Sequence, residues 1–502
     1  MLAVALVLET MHWHWMWDDS IMRYANFLMD HGMVLYRDII DMNMPGCFFI
    51  EGWVLHLLGT GDVAARCYEY TLLLTMTGAM IVIAWSSDWL AGLFAGVLFA
   101  LIHSVDGPAN SIQRDEIMTV FLLVCYALIF VSLRRRLPIL LLPFGFVSGL
   151  AITLKPTSAP VGFVLMALGT FVLMKRKERV QPYVAYATVG IALAGLVVFQ
   201  FFYRTHSFTD FTYTMQYLLP AYASMQHITI LGTAKVMLNR SMLLLLVLTA
   251  AVTLLHRDWR NWERWALAFG VLFGAASYLA QRKGFNYHKY PFFAFFLLWA
   301  GLELTRAARE RGVRRIIGIA GLSFGVLLLG PLYAYKITLS KQTLPIAAAI
   351  QHDLVALGGD KLQGKVQCMD IVAGCVEALD RLGLVQSTGF ISDFMLFPPH
   401  SAPPMPRYRE VFMQKLTAAK PSVIVLTDAW MSEPSSFRKV DDFPVFAQYL
   451  HDHYRLLLAR SFAPAPRAIT DNSYRIYVLA SASPQTPTSL ANGEAPPRPP
   501  EQ

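Results

Sequence analysis

Two pairs of adjacent carboxylates, Asp18–Asp19 and Asp115–Glu116, each border a long apolar stretch of the sequence. Such surroundings can raise the pKa of a carboxyl group toward neutrality, where it can accept a proton from a hydroxyl group as a general base. The second pair could also bind a metal ion or an acceptor. The other interpretation is structural, because acidic residues at a helix start cap free N–H groups and complement the helix dipole. The spacing alone leaves both interpretations open.

A basic and aromatic segment covers residues 281–291 and contains Arg282, Lys283, His288 and Lys289. Three cations and a histidine this close together are suited to binding a phosphate or pyrophosphate group. Lys155, which precedes Pro156, is open to the same interpretation. The alternative for all of them is structural, since long basic side chains at a membrane boundary extend their charged ends toward water.

The composition indicates what kind of molecule must position these groups. Hydrophobic residues make up 55% of the chain and charged residues 15%, whereas a soluble protein has about 25% charged residues. Charged residues become frequent only after about residue 339. The net charge of +8 lies mainly at the ends of apolar runs, which is typical of membrane topology and not of nucleic-acid binding. The sequence therefore predicts an α-helical polytopic membrane protein without a nucleic-acid partner.

Ten apolar runs are candidate membrane spans. They cover residues 64–85, 88–104, 117–133, 138–154, 157–174, 183–203, 241–256, 265–281, 290–304 and 316–335. An N-terminal run over residues 2–8 is too short to cross a bilayer, which requires about 20 apolar residues. We expect a full first helix there, completed by residues 11–17 or by residues upstream. This gives about eleven spans.

Basic clusters set the predicted orientation. They lie at residues 134–136, 175–179, 257–264 and 306–315. With eleven spans, each cluster falls in a loop on the same side, which the positive-inside rule makes cytoplasmic. The opposite, outer side then receives both carboxylate pairs, Lys155, the segment 282–289 and everything after residue 335. The candidate chemical groups are therefore expected on one face of the membrane.

The C-terminal third has a different pattern. Residues 336–480 predict an outer α/β domain that follows a transmembrane module at 1–335. We expect strands at 365–371, 422–427, 454–461 and 474–479, and a helix at 409–419. Cys368 and Cys375 could pair in an oxidising compartment, or could be two small buried residues. Residues 481–502 are rich in Pro, Ser and Thr and are expected to be disordered.

The order of the outer-side motifs resembles that of the family 39-like, C-type membrane glycosyltransferases, which include the protein mannosyltransferases and the aminoarabinose transferases of lipid A. The resemblance covers about residues 16–300. Its motifs are Asp18-Asp19-Ser20, Gly32, Tyr36-Arg37-Asp38, Asp41, Pro45-Gly46, Leu58-Gly59, Ala65-Arg66, Asp115-Glu116, Lys155-Pro156-Thr157 and Tyr287-His288 with Pro291.

The resemblance implies an inverting hexosyl- or pentosyltransferase in the cell (inner) membrane. Such an enzyme moves a sugar from a polyprenyl-phosphate donor to a lipid, glycan or protein acceptor on the outer face. It implies Asp18 as the catalytic base, with Asp19 as the close alternative, and a second acidic position at Asp115 or Glu116. A divalent metal, Mg²⁺ or Mn²⁺, would bind at Asp18 and Glu116. The implied substrate- and phosphate-binding residues are Arg37, Lys155, Arg282, Lys283, His288 and Lys289.

Two other function classes compete with this prediction. A transporter or flippase would place charges near the middle of its spans and often contains inverted repeats, whereas the charges above lie at the ends of apolar runs and the sequence shows no internal repeat. Energised solute uptake by vesicles would favour it. A non-catalytic membrane scaffold needs no outer carboxylates, and activity that survives Asp18→Asn combined with Asp19→Asn would favour it.

Overall fold

The computed structural model describes residues 7–225, 228–255, 261–339, 345–371, 374–402, 404–431, 433–462 and 473–480. The chain divides into two compact units. Unit 1 comprises Met1–His14, Met44–Phe201 and His227–Lys341. Unit 2 comprises Trp15–Asn43, Phe202–Gln226 and Gln342–Gln502.

The α-helices in chain order are α1 (Asp18–Asp30), α2 (Pro45–Leu58), α3 (Asp62–Ala84), α4 (Trp89–Asp106), α5 (Arg114–Arg135), α6 (Leu141–Leu154), α7 (Ala159–Lys175), α8 (Gln181–Thr205), α9 (Phe208–Tyr213), α10 (Leu219–Ser224), α11 (Ile230–Met237), α12 (Arg240–Leu255), α13 (Trp262–Gln281), α14 (Tyr290–Ala308), α15 (Val313–Ser323), α16 (Gly330–Leu339), α17 (Pro345–Leu357), α18 (Cys375–Arg381), α19 (Pro406–Ala419) and α20 (Pro444–His453). The strands are β1 (Val366–Met369), β2 (Val423–Thr427), β3 (Tyr454–Ser461) and β4 (Ser473–Leu479).

Within the described residues, each of the ten predicted apolar runs coincides with helix. Among the described residues, seven helices are long and apolar enough to cross a bilayer, or eight if α11 and α12, bent by 84° at their junction, form one span. The chain is therefore a multi-pass membrane protein. The predicted total of eleven spans stays a prediction, because α2 and α6 are short apolar helices and α13 is not among those seven.

The predicted first helix is not formed as expected. Its residues 1–6 lie outside the described part of the chain. Glu9–His12 form one 3₁₀ turn, and Trp13 then adopts extended backbone (φ −68°, ψ 138°). This backbone lets the Trp13 ring pack under the buried guanidinium of Arg66, whose Cζ lies 5.8 Å from the ring centroid. Completion of a helix by Met11 to Trp17 was therefore wrong, because packing of the tryptophan ring outweighs local helix propensity.

Helix α5 runs between the acidic pair at one end of unit 1 and the first basic cluster at the other. Its 22 residues correspond to about 33 Å, enough to cross a hydrocarbon core of about 30 Å. The acidic pair opens this helix, and the first basic cluster closes it. At the basic end, Arg134 Nε lies 2.8 Å from Glu263 Oε1, and Arg136 Nε lies 3.2 Å from Glu178 Oε1. These contacts bring three of the basic clusters to the same end of the unit, as the orientation argument requires.

Unit 2 contains a mixed sheet in the order β1-β2-β4-β3, in which β1 and β2 are parallel and the other pairs antiparallel. All four predicted strands and the predicted helix before β2, here α19, are confirmed. The connection from β1 to β2 carries α18 and α19, since parallel neighbours require a crossover. A core that includes Phe390, Phe412 and Phe446 packs around the sheet.

Two features fix the edges of this sheet. The buried Asp353 of α17 accepts hydrogen bonds from Arg460 of β3 (both 2.7 Å) and from the hydroxyl of Tyr474 of β4 (2.6 Å). Cys368 of β1 and Cys375 of α18 form a disulfide. Of the two interpretations of these cysteines, pairing is therefore confirmed. Unit 2 also contains Trp15–Asn43 and Phe202–Gln226. The predicted boundary at 335/336 stays a prediction, and the predicted disordered tail lies outside the described residues.

Candidate active site

Asp115, at the start of α5, is the centre of the polar cluster in unit 1. Its carboxylate is fully buried and accepts from Lys155 Nζ at 2.7 Å (Oδ1) and 2.9 Å (Oδ2). The same ammonium donates to Gln281 Oε1 at 2.8 Å. These three acceptors match the three N–H groups of a lysine. Three separate chain segments thus meet at one charged pair.

Lys155 reaches Asp115 because α6 ends directly before it. Pro156 disfavours helical backbone in the preceding residue, and Lys155 adopts φ −152°, ψ 103°. Gly46, of the Pro-Gly motif, packs where a Cβ would lie 2.3 Å from Thr153 Oγ1. The glycine therefore permits α2 to approach the end of α6, two residues before the lysine.

The aromatic and basic segment after α13 lies beside this pair. His288 Nε2 is 3.8 Å from Asp115 Oδ2, and the imidazole packs on the ring of Tyr287 at a centroid distance of 4.6 Å. Lys289 Nζ donates to Asn286 Oδ1 at 2.8 Å and lies 5.5 Å from the centroid of Phe293. His288, at 4% exposure, and Lys289, at 7%, are both buried.

Arg282 and Lys283 differ in what they do. Arg282 has left-handed backbone (φ 52°) and closes α13, and its Nε donates to the carbonyl of Ile228 at 2.9 Å. Its side chain therefore has a structural partner. Lys283 is 8% exposed, and burial lowers the pKa of its ammonium to about 8, so its charged form is costly where it lies.

Glu116 points into a second cluster, together with Glu69 of α3 and His103 of α4. Ligand atoms of the three residues lie within 4.8 Å of one another, a grouping that could hold a metal ion. His103 Nε2 makes an ion-pair contact with Glu69 Oε1 and lies 3.9 Å from Glu116 Oε1. Asp18, the other predicted metal ligand, belongs to unit 2 and is not part of this cluster.

In unit 2, the first carboxylate pair opens α1, and its two members differ in burial. Asp18 is half-buried at the first helical position, directly after Trp17 (φ 60°, ψ −128°). Asp19 is buried, and its Oδ2 lies 3.3 Å from the equally buried Arg23 Nε. Asp380, in α18, interacts electrostatically with Arg23 and Asp19. Burial raises the pKa of its carboxyl to about 6.

Arg37 lies in a tight turn of unit 2. Tyr36, before it, has φ 70° and donates its backbone N–H to Ile39 at 2.8 Å. The Asp38 carboxylate accepts from the backbone N–H of Val34 at 3.0 Å. The Arg37 guanidinium is exposed and contacts Asp38 at 3.3 Å. The Tyr-Arg-Asp motif thus builds a turn, and the role of Arg37 in binding phosphate stays a prediction.

Sequence reasoning missed Glu69, His103 and Gln281. Glu69 and His103 lie inside predicted apolar runs, Glu69 near the start of α3 and His103 near the end of α4. A signal was present, because an ionisable residue inside a span is costly and usually functional. Gln281 lay within the basic segment, but nothing in the sequence showed that it would accept from Lys155.

Comparisons with known proteins agree with this architecture. No protein-family model matches the chain, and no curated protein matches it. The structure is similar to that of ArnT from Cupriavidus metallidurans bound to undecaprenyl phosphate, with 14% identity, a TM-score of 0.55, and coverage of 96% of this chain and 99% of that chain. It is also similar to the apo oligosaccharyltransferase of Archaeoglobus fulgidus (10% identity, TM-score 0.52, coverage 94% and 75%).

A third similar structure is that of the arabinofuranosyltransferase AftD from Mycobacteria, with 14% identity and a TM-score of 0.52. There the match covers 96% of this chain but 41% of that chain. All three resemblances extend over nearly the whole of the present sequence. The chain therefore has the fold of the C-type membrane glycosyltransferases.

Proposed function

We propose that this protein is a membrane glycosyltransferase that moves a sugar from a polyprenyl-phosphate donor to a lipid, glycan or protein acceptor. The observation that carries the proposal is the group of buried basic side chains Lys283, His288 and Lys289 beside the Lys155–Asp115 pair. Buried cations are costly unless an anion compensates them. Lys155, Lys283 and Lys289 outnumber the two carboxylates that act on this region, Asp115 and Asp106, so a phosphate group fits there.

The roles within the cluster differ. Lys155 directs all of its N–H groups to Asp115 and Gln281, so it holds Asp115 in place and adds positive charge nearby. Burial lowers the pKa of Lys283 to about 8, and a phosphate beside it would stabilise its charged form. The substrate phosphate is therefore assigned to the segment 283–289.

The membrane location accounts for a lipid-linked donor. The isoprenoid chain can stay in the bilayer while its phosphate reaches the end of α5 opposite the basic clusters. Two similar structures contain such lipids: ArnT is bound to undecaprenyl phosphate, and the oligosaccharyltransferase AglB is in complex with an inhibitory peptide and a dolichol-phosphate. These ligands support a polyprenyl-phosphate donor for the present chain.

The proposed reaction is an inverting displacement. The acceptor oxygen attacks the anomeric carbon of the sugar, the bond from that carbon to the phosphate oxygen breaks, and the polyprenyl phosphate leaves with the bonding electron pair. The acceptor proton passes to Asp18, as the resemblance implies. Asp18 suits a base better than Asp19, whose carboxylate is buried against Arg23. Positive charge near the leaving phosphate stabilises the transition state.

The proposed site faces the outer side of the cell (inner) membrane. The positive-inside rule places the basic end of α5 in the cytoplasm and thus Asp115 at the outer end. The disulfide of unit 2 supports an oxidising compartment for that unit. A divalent metal ion with Glu116 among its ligands is part of the proposal, and it would supply positive charge there. Asp18 as a metal ligand stays a prediction.

Binding of undecaprenyl phosphate to the purified protein tests the phosphate site. Native mass spectrometry would compare wild type, Lys283→Met and the control Lys177→Met, an exposed lysine after α7. We expect about tenfold weaker binding for Lys283→Met, equivalent to about 1.4 kcal/mol, and no change for the control. Equal binding by all three proteins, or equal binding of the uncharged polyprenol, would show that the segment is not a phosphate site.

A further inference from the structure

Glu69, His103 and Glu116, here called the EHE cluster, form a buried arrangement of metal-ligating atoms. The three side chains are at most 1% exposed and come from α3, α4 and α5. Glu69 Oε1, His103 Nε2 and Glu116 Oε1 face one another: the first two are in ion-pair contact, and Glu116 Oε1 has no hydrogen-bond partner among the described residues. A buried carboxylate oxygen without a hydrogen bond or a bound ligand costs free energy of folding.

The second polar atom of each side chain already has a fixed partner. The backbone N–H of Ile112 donates to Glu69 Oε2 at 3.1 Å and to Glu116 Oε2 at 2.9 Å. His103 Nδ1 lies 3.0 Å from the hydroxyl of Tyr290. Metal-bound histidines and carboxylates are typically oriented by such outer hydrogen bonds. The inner atoms are thereby aimed at a common point.

Ile112, whose N–H group donates to both glutamates, has an unfavourable backbone conformation. Its φ of 55° lies in the left-handed region, which a β-branched residue rarely adopts and which costs of order 1–3 kcal/mol. In this conformation its single N–H is shared by the two carboxylates. Strain of this kind persists where the surrounding structure requires it, as at ligand sites.

A protonated histidine between two carboxylates is the competing explanation. An imidazolium has only one N–H to offer from Nε2, and that atom is in ion-pair contact with Glu69. Glu116 Oε1, at 3.9 Å, is beyond hydrogen-bond distance and would stay unsatisfied. The fully buried Arg66 donates from Nη2 to Ser111 at 3.0 Å, and its positive charge acts on both glutamates, but it does not supply Glu116 Oε1 with a hydrogen bond. A divalent ion satisfies all three inner atoms together.

We infer that the EHE cluster binds a divalent transition-metal ion of the zinc type. An imidazole nitrogen among the ligands favours such an ion over Mg²⁺ or Ca²⁺, which prefer ligand sets made only of oxygen. Three protein ligands leave a position for water or another ligand. The ion connects the ends of three helices and fixes Glu116, the neighbour of Asp115. The inference can be tested apart from the transferase proposal, because its readouts are metal content and thermal stability.

The test begins with protein purified without chelator or added metal. Elemental analysis is expected to find about one equivalent of zinc-type metal per chain in wild type and in the control Glu263→Gln, whose glutamate pairs with Arg134 at the basic end. The variants Glu69→Gln and His103→Gln are expected to lose it. Removing the metal from wild type should lower Tm by about 4 °C or more, with recovery on adding Zn²⁺ but not Mg²⁺.

The metal content and the Tm of the wild-type protein test the inference even if the variants fail to fold. Absence of metal from wild type, together with no shift in Tm when Zn²⁺ is added, would overturn the inference and leave the protonated histidine as the explanation. Equal metal content in wild type, Glu69→Gln and His103→Gln would overturn it as well, because the metal would then lie elsewhere.

Discussion

Lys155 and Asp115, which lie at the ends of two different helices, form an ion pair. The distance from Lys155 Nζ is 2.7 Å to Asp115 Oδ1 and 2.9 Å to Asp115 Oδ2. The lysine follows α6, and the aspartate opens α5. The third N–H group of the Lys155 ammonium donates to Gln281 at the end of α13. The pair therefore connects the ends of three helices of unit 1, α5, α6 and α13, where the candidate chemistry lies.

Lys155→Met is expected to destabilise the protein by about 3–5 kcal/mol, because it leaves the buried Asp115 without its counter-charge. The double variant Lys155→Met/Asp115→Asn should regain part of that loss. Thermal unfolding in detergent would measure both. If the double variant is less stable than Lys155→Met, the pair does not act as a compensating buried charge pair.

The two carboxylates of α1 are expected to respond differently to neutralisation. Asp19→Asn should destabilise unit 2 by about 3–5 kcal/mol, since it removes the carboxylate charge that lies against the buried Arg23. Asp18→Asn should change stability by less than about 1 kcal/mol, the usual effect of a charge at a helix start. Unfolding curves of the two variants measured side by side would decide this. A larger loss for Asp18→Asn would reverse the assignment of structural and chemical roles.

The disulfide gives a prediction about compartment. Of the five cysteines, Cys47, Cys67 and Cys125 are free, and Cys368 is paired with Cys375. Protein taken directly from cells and denatured should react with a maleimide at three cysteines, and at all five only after reduction. Removing the disulfide should cost about 2–3 kcal/mol, from the entropy of the short loop it closes. Five reactive cysteines before reduction would contradict an oxidising compartment.

Asp380 predicts a dependence of stability on pH. Burial raises the pKa of its carboxyl from 3.8 to about 6 in the folded state, so the folded protein binds this proton more tightly than the unfolded chain. The stabilisation is fully present below the unfolded pKa, is lost as pH rises to about 6, and is constant above that. Relative to Asp380→Asn, wild type should lose about 3 kcal/mol across this window. Parallel pH curves for the two proteins would contradict the shift.

The pattern of hydrophobicity was enough to predict most of the elements. Each apolar run became a helix, and the strands of unit 2 began and ended within one or two residues of the expected positions. Local signals of this kind are strong because burial and backbone hydrogen bonding act along the sequence. They failed for residues 11–17, where the Trp13 ring packs on Arg66 and no helix forms.

The candidate site was only partly predictable for a different reason. Asp115, Lys155 and His288 could be singled out by residue type, but their meeting with Gln281 depends on how distant helices pack. The EHE cluster was missed because Glu69 and His103 are single polar residues within apolar runs, and no spacing rule joins them to Glu116. Side chains far apart in sequence reveal their common function only when the packing is known.

The central claim is sugar transfer, and its most direct test is turnover of radiolabelled polyprenyl-phosphate sugars in proteoliposomes. Wild type would be compared with Asp18→Asn and with the control Lys177→Met, each first shown to be folded by its Tm. We predict that wild type and the control release sugar from at least one donor, and that Asp18→Asn loses at least about 100-fold in rate, as expected for removal of a general base. If folded wild type consumes none of a broad panel of donors, or if Asp18→Asn is as active as wild type, the proposed mechanism is contradicted.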